Sequence, residues 1–239
     1  MTAISLITKC KPITMATPRF LLYVKAASNG KDIGDCPFSQ RALMFCQLKV
    51  PDDHVKIAAV DTSNKPQEFL QLNPGGKVPV LVDQDADNKV VADSAEITKY
   101  IDSIYLERNC QINYNGPAQD ACSGVFPKLG ALLKNKNLDQ SEELKGALLA
   151  ELAKVDAYLK SEAHQGTFLL GDEMNEIDCM FLPRLRHVVV SAGHYAGFKI
   201  PVEMDALQKY FDSANTNDVY VSTCCPDEEI IIGWSKHIS

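Results

Sequence analysis

The segment Gly34-Asp35-Cys36-Pro37-Phe38-Ser39-Gln40-Arg41 carries a thiol in a setting that can activate it. After Asp35 the series Phe38, Ala42, Leu43, Phe45, Cys46 fits a helix with Pro37 in its first turn, where the missing N–H costs nothing. Cys36 then faces free N–H donors and the positive end of the helix dipole. These favour the thiolate and are expected to lower the thiol's pKa from its ordinary value of about 8.5. The bland alternative is a buried Cys serving as a small hydrophobe; the cap geometry set by Pro37 and the open Gly34-Asp35 loop favour the reactive reading. Ser39 stands where a second thiol would complete a C-x-x-C pair. Its hydroxyl cannot resolve a disulfide, so such a site must take electrons from an external thiol.

Gly75-Gly76-Lys77-Val78-Pro79-Val80 is the second constellation. A Pro in an apparent strand removes a ladder donor, and a cis Val78-Pro79 bond would turn the Val78 backbone toward a peptide-like ligand. An edge-strand Pro without a ligand fits the residues equally well. Asp93-Ser94 would cap a helix whose N-terminus can receive a carboxylate, although most caps are only caps.

Phe20 to Val24 reads as a buried strand and His54 to Val60 as a second, and Lys65 to Leu70 starts a short helix. Val78 to Val82, an acidic turn from Asp83 to Asn88, and Val90 to Ala92 read as an antiparallel hairpin. Asp93-Ser94-Ala95-Glu96 has capping-box spacing ahead of the stripe Ile97, Tyr100, Ile101, Ile104. This is the order βαβαββα. Beyond Arg108 strand signals stop, apart from apolar runs such as Val188 to Val190. Helices are expected from Glu142 to Lys160, after an Asn175 cap with an acid at Asp178 and a kink at Pro183, from Met204 to Ser213, and from Asp227 to Ser235. The expected organisation is an N-terminal extension at 1–19, an α/β domain at 20–107 and an all-α domain at 108–239.

With 239 residues, 46% hydrophobic and 23% charged, the chain can bury a real core, and its net charge of −7 argues against nucleic acid as a partner. The most membrane-like stretch, Cys36 to Val60, is interrupted by Arg41, Lys49, Asp52, Asp53 and Lys56, so no stable membrane span is expected. Eight Cys residues lack framework spacing and no secretory signal is evident, which implies free thiols in a reducing compartment. The stretch Met1 to Pro18 faintly resembles a transit peptide but lacks Arg, so disorder is the expectation. Cys46 and Cys179 are expected in the core, Cys224 and Cys225 are not expected to bridge each other, and the five His show no metal-ligand pairing with Cys.

Together these motifs resemble the thioredoxin-like domain of cytosolic glutathione transferases, followed by their helical domain, from about Phe20 to the end. Within that superfamily the chain resembles the dehydroascorbate reductases. The match rests on Gly34 to Leu43, Asn64-Lys65-Pro66-Gln67 with Phe69-Leu70, Gly76 to Leu81, Val91-Ala92-Asp93-Ser94 and Gly233-Trp234. The resemblance implies glutathione-dependent reduction of dehydroascorbate to ascorbate by a monomer, with Cys36 as the catalytic nucleophile, glutathione as co-substrate and no metal. It implies that Val78 and Pro79 hold the glutathione backbone and Asp93 and Ser94 its γ-glutamyl end. Cys36, Pro37 and Phe38 adjoin the same ligand, and Lys25 and Lys65 bring positive charge. Lys25, Asp35, His194 and Trp234 are implied for the ascorbate side; an exposed His194 and a core Trp234 are the plain alternatives. The implied compartment is the cytoplasm, with chloroplast or mitochondrion as alternative. The chloride intracellular channel family is also similar, at Cys36 to Arg41, Asp178-Cys179 with Leu182 to Leu185, and Ser222-Thr223-Cys224 with Pro226-Asp227. That resemblance implies an oxidoreductase able to enter membranes. Asn73 stands where vertebrate channel proteins often carry a second Cys.

Overall fold

The computed structural model describes residues 17–112 and 114–238. The extension expected at 1–19, with Cys10, therefore lies outside the described residues as far as residue 16. Strand β1 (Phe20–Lys25) is central in a sheet of order β2-β1-β3-β4. It runs parallel to β2 (Val55–Val60), with Phe20 opposite Val55, and antiparallel to β3 (Val80–Asp83), which pairs with β4 (Lys89–Ala92). Helices α1 (Pro37–Lys49), α2 (Gln67–Leu72) and α3 (Ser94–Ile104) complete the expected βαβαββα order.

Alternation along β1 divides the packing, because successive side chains leave opposite faces of a strand. Phe20, Leu22 and Val24 are buried in the main core with residues of α1 and α3, while Tyr23 turns to the other side with Phe69, Val60 and Val80. Several boundaries shift by a few residues, and two of the shifts have a clear cause. β2 starts one residue late because Asp52–His54 forms a 3-10 turn. β3 starts only at Val80, after Pro79, which has no N–H for a ladder.

Asp83 corrects the sequence reading. It is not a turn residue but closes β3, buried, accepting from Arg19 Nη2 at 2.9 Å and Tyr100 Oη at 2.8 Å. Burial pushes its pKa up, but Arg19 and Tyr100 outweigh that and hold the carboxyl below its ordinary range.

The helical part comprises α4 (Pro117–Ser123), α5 (Val125–Leu133), α6 (Ser141–Leu159), α7 (Glu176–His187), α8 (Gly193–Ala196), α9 (Asp205–Ala214), α10 (Asp218–Val221) and α11 (Asp227–Ile238). Leu148, Leu152 and Val155 give α6 its buried stripe. Asn175 and Asp178 form a full capping box on α7, and the helix continues through Pro183. Val188 to Val190 is not a strand: it opens a π-turn, Val188–Ala192, that joins α7 to α8.

One hydrophobic core runs from the sheet through α1 into α7. Helix α1 packs on both, which is why Ala42 to Cys46 are all buried rather than lying on one stripe. Charge ties the seam together. Arg41 of α1 pairs with Glu176 of α7 and reaches Ser94 Oγ at 3.4 Å; Lys49 pairs with Asp102. No helix among the described residues is long and apolar enough to cross a membrane. The seven described cysteines are free, with Cys46 and Cys179 buried.

Candidate functional site

Cys36 is the N-cap of α1 and Pro37 the first helical residue. The half-buried Sγ accepts from the Ser39 N–H at 3.4 Å, using one of the donors that every helix start leaves free. Cys36 lines one of two cavities, and Phe38, 39% exposed, lines both.

The first cavity, about 420 Å³, is bounded by Asn73, Gly75, Lys77, Val78, Pro79, Ala92, Asp93 and Ser94 besides Phe38. The Val78-Pro79 bond is cis. Asp93 caps α3 by accepting from the Ala95 N–H at 2.8 Å, with its backbone in the left-handed region at φ 78°. A backbone strand end, a helix start and an uncommon backbone conformation thus face one space, which is the anatomy of a site for a polar ligand with peptide character. Lys65 lies next to it, with its Nζ 3.1 Å from where a Cβ on Gly76 would sit. Gly76, at φ 60°, makes room for that close approach.

The second cavity, about 260 Å³, contains the sulfur. Its lining comes from β1 (Lys25), the loop before α1 (Asp35), α5 (Phe126, with Lys134 just beyond), α7 (His187) and α11 (Gly233, Trp234, His237). Lys25 Nζ pairs with Asp35 Oδ1 at 2.6 Å. Asp35 presses on α11 so closely that a Cβ on Gly233 would lie 1.8 Å from Asp35 Oδ2. Gly233 is therefore part of the site's shape.

His187 is 4% exposed, and its Nδ1 accepts from Trp234 Nε1–H at 2.9 Å. That bond leaves the proton of the neutral ring on Nε2. Burial pushes the His187 pKa down to about 4 against the opposing pull of Asp35, so the ring is neutral at physiological pH. Phe126 meets the rings of His187 and Trp234 edge to face at 6.1 and 6.3 Å, walling the cavity with aromatic carbon.

Of the residues singled out from sequence, Lys25, Asp35, Cys36, Pro37, Phe38 and Trp234 share the second cavity, and Phe38, Val78, Pro79, Asp93 and Ser94 the first. His194 joins neither; it is exposed on α8, against the Tyr195 ring at 4.6 Å. The histidine that reaches the sulfur's cavity is His187, which sequence reasoning passed over together with Phe126, Lys134 and His237. A signal existed for it. His187 is seven residues beyond Met180, two helical turns along the same buried face of α7. Among the described residues no cluster of three or more His, Cys, Asp or Glu side chains is arranged to hold a metal.

Residues 35–104 match the model of the glutathione S-transferase N-terminal domain. A probable glutathione S-transferase DHAR2, chloroplastic, of Oryza sativa subsp. japonica is 34% identical over 209 residues, covering 86% of this chain and 71% of the relative. Glutathione S-transferase DHAR2 of Arabidopsis thaliana is 31% identical over 220 residues, 90% of this chain and 97% of the relative. The chain belongs to the dehydroascorbate reductase family of the glutathione transferase superfamily. Among solved structures it is similar to Chlamydomonas reinhardtii dehydroascorbate reductase, with a TM-score of 0.82 and 29% identity over 93% of this chain and 100% of the other. It shares its fold also with the CLIC homologue EXC-4 of C. elegans, at a TM-score of 0.80 and 22% identity over 93% and 87%. This chain's fold is thus shared by both structures and does not by itself decide between them.

Proposed function

We propose that the chain reduces dehydroascorbate to ascorbate at the expense of glutathione, through Cys36 alone. The observation that carries this is one half-buried sulfur at a helix start, lining a cavity that shares Phe38 with another cavity, and with Ser39 where a resolving thiol would stand. Glutathione occupies the cavity at Val78, Pro79, Asp93 and Ser94, with Lys65 adding charge beside it. Dehydroascorbate occupies the cavity at Lys25, Asp35, His187 and Trp234.

In the first step the Cys36 sulfur attacks an electrophilic carbonyl of dehydroascorbate. Two electrons pass from sulfur to substrate, water supplies the oxygen, and ascorbate leaves with Cys36 as a sulfenic acid. One glutathione thiol displaces that oxygen as water and forms a mixed disulfide. A second glutathione attacks it, releasing glutathione disulfide and the Cys36 thiol. The neutral His187 ring helps wall the cavity, and Lys25 offsets negative charge as ascorbate forms.

The test is glutathione-dependent dehydroascorbate reduction by wild type beside Cys36→Ser. The variant should lose at least about a thousandfold in turnover, since an alcohol at this site is neither a comparable nucleophile nor a redox group, while its glutathione affinity stays near wild type. Retained reduction would remove Cys36 from the chemistry.

We propose a monomer in a reducing compartment, the cytoplasm with an organelle as alternative; the unpaired described cysteines support the redox setting. The channel-like reading has less support. Its candidate membrane segment, Cys36 to Val60, here forms α1 and β2, and the Arg41 and Lys49 charges are already satisfied by carboxylates.

A further inference from the structure

Near a second cysteine, two buried donor atoms have no partner among the described residues. Cys224, half-buried between α10 and α11, accepts from Gln40 Nε2 at 3.2 Å. Tyr220 is 1% exposed; its hydroxyl faces the same sulfur without making a well-formed hydrogen bond, and it has no other partner. Arg186 donates through Nη2 to Cys225 O and Asp227 Oδ1, each at 2.6 Å, but its Nη1 is buried and unpartnered. That guanidinium thus sits against the residue next to Cys224.

Buried polar atoms without partners are rare in folded proteins, and two at this segment, one on the residue four before Cys224 and one on the guanidinium that holds the Cys225 carbonyl, call for a physical account. A thiol sulfur is a weak, diffuse acceptor and cannot serve three donors. An oxygen bonded to that sulfur is a strong, compact acceptor. The neighbouring thiols have no such setting: Cys225 and Cys46 are buried, and burial pushes each up to about 12.

We propose that Cys224 is a site of oxidation by hydrogen peroxide, its sulfenic oxygen held by the Tyr220 hydroxyl and the free Nη1 of Arg186. The sulfur attacks one peroxide oxygen, and the S–O bond forms as the O–O bond breaks. Sulfur loses two electrons, the second oxygen is reduced, and the thiol proton leaves with it as water. Tyr220 and Arg186 also donate to the departing oxygen, so they speed the step as well as hold its product. This site is separate from the Cys36 cavities and stands whether or not Cys36 turns over.

The experiment uses the full chain carrying Cys36→Ser, so that the other half-buried thiol among the described residues is removed, with hydrogen peroxide as oxidant and dimedone as the sulfenic-acid trap. Peptide mass spectrometry follows the rate at each cysteine. Cys224 should be labelled at least about tenfold faster in folded than in urea-unfolded protein, because only the folded chain assembles the donors. Adding Tyr220→Phe, which keeps the ring and deletes an unsatisfied hydroxyl, should leave the melting temperature unchanged or higher and slow labelling severalfold. Labelling of folded Cys224 no faster than in the unfolded chain would overturn the proposal, as would an undiminished rate in the Tyr220→Phe protein.

Discussion

The cavity beside Val78 and the cavity beside Cys36 share Phe38 but are built in opposite ways. The first is assembled from one stretch between Asn73 and Ser94, apart from Phe38, and uses backbone: a cis bond, a strand end and a helix start. The second gathers side chains from β1, α1, α5, α7 and α11, brought together only when the helical part docks on the sheet. A locally built cavity suits a constant co-substrate, whereas one built across a seam can change its occupant through a few side chains. The two should therefore fail separately.

The largest separate effect is expected at Gly233. Gly233→Ala improves helix propensity yet puts a methyl where Asp35 Oδ2 now lies, forcing the carboxylate off Lys25. Misplacement of about 1 Å at such a site can cost about a hundredfold. Steady-state kinetics should show kcat/KM for dehydroascorbate falling by about that factor with glutathione affinity little changed; a matching loss in glutathione affinity would mean that the cavities are not independent. Asp93→Asn is the converse. It keeps a capping side chain that tolerates positive φ but removes the charge, and it should weaken glutathione binding about tenfold, or about 1.4 kcal/mol. Calorimetry reads this directly, and an unchanged affinity would take Asp93 out of the glutathione site.

Smaller effects sharpen the second cavity. Trp234→Phe keeps an aromatic wall but takes the donor from His187 Nδ1, and should cost about 1–2 kcal/mol in denaturant unfolding while raising the dehydroascorbate KM severalfold. If stability falls but KM does not, Trp234 is only a core aromatic. The smallest effect is on pH dependence. His187 is held near 4 in the folded chain, so as pH falls from about 6.5 to 4 the unfolded chain takes a proton that the folded chain refuses, and stability drops. Asp178, pushed up to about 6 by burial, does the reverse. Over nearly the same range the folded chain takes the proton first and gains stability. The two contributions largely cancel in wild type. In Asp178→Asn the histidine acts unopposed, so stability should fall more steeply between pH 6.5 and 4; parallel curves would contradict the assignment for His187.

The same contrast explains what was legible in the sequence. Cys36 with Pro37, the Val78-Pro79 pair and the Asp93 cap announce themselves because helix starts and strand-breaking prolines are local events. Elements with clean periodicity, such as α6 and α3, were legible for the same reason. His187, Phe126 and Lys134 were not, because each is an ordinary helix residue until the packing of α5, α7 and α11 points it at the sulfur. His194 is implied only by the family resemblance; the π-turn at Val188–Ala192 separates it from His187, and on α8 it is exposed. Asp83 looked like part of an acidic turn because its partners, Arg19 and Tyr100, are distant in sequence.

The central claim is that one sulfur carries both half-reactions. Wild-type protein treated with dehydroascorbate and then with a single equivalent of glutathione should be caught halfway, and acid quenching with peptide mass spectrometry would locate the adduct. One glutathionyl group on the peptide containing Cys36, removed by a second equivalent of glutathione, is the predicted result. A glutathionyl group on another cysteine, or ascorbate formed with Cys36 never modified, would contradict the account.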